Sequence, residues 1–79
     1  MQWISRGVHN VLKEWKAEAK NTHLCVYAAH NGVLTIYTDR PGCLIGRAGN
    51  TVAKYRQLIN EASFGTITDV KFVETQGIF

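Results

Sequence analysis

Arg40-Pro41-Gly42-Cys43-Leu44-Ile45-Gly46-Arg47-Ala48-Gly49-Asn50-Thr51-Val52 is the stretch on which the reading of this 79-residue chain turns. Proline removes a ladder donor, so a strand ends before Pro41, yet its fixed φ suits the first turn of a helix. Cys43-Leu44-Ile45 then makes one short helical turn before Gly46. Beyond Gly49, Asn50 is placed to cap a second helix. Its apolar positions are Val52, Ala53, Tyr55, Ile59 and Ala62, with Lys54, Arg56 and Gln57 on the other side. Three glycines within eight residues, beside arginine and opening a helix, suit an anion. No Gly-Lys-Ser/Thr follows, which excludes a Walker loop, and no Gly-x-Gly is present for a dinucleotide fingerprint. What remains is Gly46-Arg47-Ala48-Gly49, a Gly-x-x-Gly turn between two helices.

Upstream, Val33 to Thr38 is β-branched or aromatic, and His23 to His30 is rich in strand formers. Asn31-Gly32 between them is a strong hairpin signal, since both residues tolerate φ > 0. A two-residue loop sets His30 opposite Val33, Tyr27 opposite Ile36 and Cys25 opposite Thr38. Leu34 and Ile36 then share a face with Ala29 and Tyr27, the expected core side. Earlier still, Ile4, Val8, Val11, Leu12, Trp15 and Ala19 recur at helical spacing, predicting an amphipathic helix of 15–18 residues that ends at Asn21-Thr22. Trp3 and Trp15 both read as packing residues. Downstream, Gly65 marks a turn, and Thr66 to Thr75 alternates as a strand with Val70 and Phe72 facing one way. No order is predicted for the tail, 76–79.

The resulting order is helix, strand, strand, short helix, helix, strand. The hairpin pairs strands one and two antiparallel, and a helical crossover allows a parallel third. The expected fold class is α+β, a two-layer domain with a three-stranded mixed sheet and helices on one face.

Composition limits the function. The chain is long enough for one domain, 1–79, with one core. Hydrophobic residues at 46% against 19% charged indicate a globular rather than disordered chain. No apolar run approaches the ~20 residues of a membrane span, and the N-terminus lacks a secretory layout. Two cysteines are too few for a disulfide scaffold, so reduced thiols in a cytoplasmic protein are expected. His23 and Cys25 have no second ligand pair at zinc spacing, so neither metal nor cofactor is expected. No Ser/His/Asp set or carboxylate pair stands out, which argues against an enzyme. The net charge of +3 is uneven: residues 21–60 carry Arg40, Arg47, Lys54 and Arg56 against Asp39 alone. That distribution permits a polyanion partner.

Glycines let phosphates approach without a Cβ in the way, and the helix after Gly49 presents N–H groups and its positive end. Arg47 adds a charge and a planar donor fork. The amides of residues 46–52 are therefore expected to lie bare and outward. The bland reading, a tight helix–helix turn with a solvated arginine, stays open on these residues alone.

Ile45-Gly46-Arg47-Ala48-Gly49, preceded by Arg40-Pro41-Gly42, resembles the K-homology (KH) domain of type II, in its ribosomal-protein-like form. The likeness runs from Thr35-Ile36-Tyr37-Thr38 to about Val73, with the GxxG-containing core at 33–75 and a helical lead-in at 3–20. It implies an RNA-binding protein whose GXXG loop clamps about four nucleotides of single-stranded backbone. Carried over, Gly46, Arg47, Ala48 and Gly49 form the clamp. Cys43, Leu44 and Ile45, with Thr51 and Val52, edge a groove for bases, and Arg40 and Lys54 add charge. The loop at 63–66 and the strand from Thr68 to Phe72 form its far side. Single-stranded RNA is the implied partner, with single-stranded DNA second. The loop has one basic residue, since Ala48 is neutral. An alternative is a protein–protein interaction or self-associating module that keeps the frame and binds nucleic acid weakly or not at all.

Overall fold

In the computed structural model, which describes residues 3–20 and 25–75, Asn31 and Gly32 take φ values of 51° and 82°. Positive φ at both positions matches the twist of the flanking strands. β1 (Cys25–His30) and β2 (Val33–Thr38) accordingly pair antiparallel. His30 faces Val33, Tyr27 faces Ile36 and Cys25 faces Thr38, the register that the sequence predicts. His23 and Leu24, expected to open the first strand, lie outside the described residues, as do Asn21-Thr22 and the tail.

The crossover from β2 runs through α2 (Pro41–Ile45), a 3-10 turn (Arg47–Gly49) and α3 (Asn50–Ala62) into β3 (Asp69–Glu74). β3 lies parallel to β2, with Leu34 opposite Val70 and Ile36 opposite Phe72, giving a mixed sheet in the order β1-β2-β3. The third strand is shorter than the alternation from Thr66 suggests, because Ser63 holds the chain before it. The Thr66 hydroxyl donates to the Ser63 carbonyl (2.8 Å), and the Ile67 amide donates to Ser63 Oγ (3.0 Å). Side-chain bonds of this kind compete with a ladder.

α1 (Arg6–Glu18) is 13 residues long, shorter than expected, because Ser5 caps it. Ser5 Oγ accepts from the Val8 amide at 3.3 Å, so Trp3 and Ile4 precede the helix. Trp3 stands 82% exposed and does not pack as expected, whereas Trp15 is 1% exposed. α3 also differs from expectation at its start. Asn50 is already helical, and the capping position is Gly49 at φ 75°, with no side-chain bond there. Ala53 is exposed, since it falls opposite Tyr55 at 3.6 residues per turn; Leu58 packs against the core instead.

The core joins Val8, Leu12 and Trp15 of α1 to Leu44, Tyr55, Ile59 and Ile67, all resting on Ala29, Leu34 and Ile36 of the sheet. Tyr27, Val70 and Phe72 flank them on the same face, so the helices form one layer and the sheet the other. α1 and α3 run antiparallel: Ser5 Oγ donates to the Ala62 carbonyl (3.5 Å), while Glu18 reaches Lys54. Among the described residues, no helix is long and apolar enough to cross a membrane.

One side chain of α1 meets three other elements. The Trp15 indole donates to the Leu44 carbonyl at 2.9 Å, stacks on Tyr55 (ring centres 5.3 Å apart, 6° between planes) and meets Phe72 edge-on at 5.8 Å. Trp15→Phe leaves that buried carbonyl without its donor. We expect urea denaturation to show a loss of at least about 1–3 kcal/mol, the usual penalty for such a group.

Candidate nucleic-acid interface

α2 is only five residues long, with Pro41 in its first turn and Arg40 before it at φ −134° and ψ 65°. So short a helix leaves most of its carbonyls without an internal partner. Two are met here: the Gly46 amide donates to the Gly42 carbonyl (3.1 Å), and Trp15 takes that of Leu44. The chain then reverses through Gly46 (φ 78°, ψ 178°), Ala48 (φ 54°, ψ 23°) and Gly49 (φ 75°, ψ 11°).

The glycines differ in why they are needed. A Cβ on Gly46 would run into the Thr51 hydroxyl and come within 2.6 Å of the Thr51 Cβ. One on Gly49 would meet nothing closer than the Val52 Cγ1 at 4.0 Å, so there only the positive φ selects glycine. Ala48 occupies the left-handed region without that freedom, which costs roughly 1–2 kcal/mol.

The predicted site residues are contiguous around this turn, but they differ in accessibility. Arg40, Cys43, Arg47, Ala48 and Lys54 are exposed, and Ile45, Gly46, Gly49, Thr51 and Val52 are half-buried. Leu44, expected to edge a groove, is 2% exposed and belongs to the core. The expectation of bare amides from 46 to 52 is corrected at three positions. The Gly46 amide bonds Gly42, the Gly49 amide bonds the Gly46 carbonyl (3.3 Å), and the Asn50 amide bonds the Arg47 carbonyl. Tight reversal and the 3-10 turn consume them. The loop at 63–66 lies at the other end of α3, roughly 20 Å away by helical rise, beside Gly32.

The four cations of this segment are not equivalent. Lys54 Nζ sits 2.7 Å from Glu18 Oε1, which also accepts from the Tyr55 hydroxyl at 3.1 Å. The ammonium lies 4.8 Å from the Tyr55 ring centre. Arg56 Nη1 is 3.8 Å from Asp69 Oδ1. Among the described residues no ion pair holds Arg40 or Arg47. Nothing local in the sequence signals the Glu18–Lys54 pair, whose members are 36 positions apart.

The hydrogen bond from Lys54 holds the Glu18 carboxyl below its ordinary range, and the same bond raises Lys54. Because Glu18 is depressed in the folded state, the small contribution of this exposed pair is present above the ordinary carboxylate range. It fades as pH falls through the lowered value. Carbon-detected NMR titration should find Glu18 titrating below the ordinary carboxylate range, and Lys54→Met should raise it.

Among the described residues, no three His, Cys, Asp or Glu side chains gather as a metal site requires. The chain matches no known protein-family model, no characterised protein and no solved structure.

Gly46→Ala should destabilise by about 1–3 kcal/mol through a conformation essentially confined to glycine, with the Thr51 collision added. Gly49→Ala should cost about 1 kcal/mol, the left-handed penalty alone. Equal losses in parallel urea melts would contradict the assignment of Thr51 as the contact that fixes Gly46.

Proposed function

We propose that this chain is a KH type II-like domain that binds single-stranded nucleic acid, RNA first and DNA second, by gripping its backbone at residues 46–49. The observation that carries the reading is the Gly46-Arg47-Ala48-Gly49 turn, exposed at Arg47 and Ala48, set between two helices and anchored behind by buried Leu44 and Tyr55. The element order and the parallel closing strand support it. In this reading Arg47 supplies the phosphate contact, Arg40 the nearby charge, and the first turn of α3 the positive helix end at Thr51 and Val52. Exposed Cys43 and half-buried Ile45 and Val52 offer apolar contact to bases. Lys54, paired with Glu18, contributes less than its position in the sequence suggests. The chain acts as a binder rather than a catalyst, with no cofactor and a cytoplasmic setting.

The alternative, a protein-binding or self-associating module, draws on Trp3 and Phe64, 82% and 92% exposed beside Val8 and Ile67. Fluorescence anisotropy with a labelled random-sequence RNA distinguishes the two. The Arg47→Asp, Ala48→Asp double variant should bind at least tenfold more weakly while its circular dichroism is unchanged. Wild-type affinity should fall as salt rises. Unaltered affinity in the double variant, or a flat salt response, would favour the protein-partner reading.

A further inference from the structure

A concave site that shares Leu44 with the stretch leading into the glycine turn opens beside α1. It is a cavity of about 410 Å³ between α1 and the β1 side of the sheet, within the size range of small-molecule sites. Buried Leu12, Trp15, Ile36 and Leu44 underlie it as an apolar floor, and half-buried Cys25 and Tyr27 wall it from β1. None of residues 46–49 is among its described lining residues.

The rim has one sign of charge. His9, Lys13 and Lys16 lie at intervals of four and three on α1, hence on one stripe of the helix. That stripe adjoins the buried stripe of Val8, Leu12 and Trp15, so the border between apolar and basic faces opens onto the cavity. Lysine stems can lie along such a wall while their ammonium groups stay wet. At one side, His9 Nδ1 and the Tyr27 hydroxyl are 2.7 Å apart, and their rings are 5.5 Å apart between centres. Among the described lining residues there is no carboxylate. Of the acids on α1, Glu18 is turned to Lys54 and Glu14 does not line the cavity. Burial raises both the Cys25 thiol and the Tyr27 hydroxyl, so these two groups stay neutral at physiological pH and add no negative charge to the rim.

We propose that this cavity binds a small organic anion with a flat apolar body, the body against Tyr27 and Cys25 and the anionic group at Lys13 and Lys16. Two cations above an apolar, aromatic-walled floor favour that ligand class over a neutral or cationic one. The site is independent of the nucleic-acid reading.

The test uses 8-anilinonaphthalene-1-sulfonate and its uncharged analogue N-phenyl-1-naphthylamine, each titrated into the folded full chain and followed by probe emission. The expected result is saturable binding of the sulfonate, at least tenfold tighter than the neutral analogue. That preference should vanish in Lys13→Gln, Lys16→Gln and in the matching double glutamate variant, with thermal melts unchanged. Arg47→Asp, Ala48→Asp should keep it. Equal affinity for the two probes, sulfonate binding that survives both lysine variants, absence of saturation, or loss in the turn variant would each overturn the proposal.

Discussion

The hydrogen bond from the Trp15 indole to the Leu44 carbonyl is the contact on which the arrangement of helices depends. A five-residue helix cannot hold itself in water, because nucleation fixes several dihedrals for few bonds. α2 persists because its end is tied to a side chain that is itself immobilised by stacking on Tyr55 and edge contact with Phe72. Three helices and the closing strand thus meet at one indole. The glycine turn begins two residues beyond the tied carbonyl, so its position is set from behind by the core.

The turn itself combines a steric demand with a thinned charge. Gly46 lets the Thr51 side chain close against the backbone, which draws the start of α3 beneath the reversal. The same closure uses the amides of Gly46, Gly49 and Asn50 internally. What faces outward is the side chain of Arg47 and the exposed backbone around Ala48. Pairing of Lys54 with Glu18 and Arg56 with Asp69 directs two of the four nearby cations to exposed ion pairs between elements. The proposed backbone grip rests on few charges and on geometry.

Much of the frame is legible from local chemistry. Asn31-Gly32 sets the strand register, since its turn geometry leaves one pairing, and alternation then assigns Ala29, Leu34 and Ile36 to the core. Pro41 and the glycines mark where helices start and stop. What escapes sequence reasoning depends on distance or on unfavourable conformations. Trp3 and Trp15 look alike by spacing, but the Ser5 cap puts Trp3 outside the helix. Asn50 has the chemistry of a cap, yet a left-handed Ala48, which propensity does not favour, brings the chain into helix one residue early. The Trp15–Leu44 bond and the Glu18–Lys54 pair join residues 29 and 36 positions apart, and no local pattern encodes them. The cavity beneath Lys13 and Lys16 is likewise a matter of shape.

Amide-resolved NMR of the chain titrated with a short single-stranded RNA bears most directly on whether the anchored turn is a backbone grip. The shifts should move first and furthest at Arg47, Ala48, Thr51 and Val52, with the Trp15 indole signal nearly still and the whole spectrum remaining dispersed. A well-dispersed spectrum that does not respond, or one that responds on the sheet face away from the helices, where exposed Val26 pairs with Tyr37, while residues 46–52 stay fixed, would contradict it.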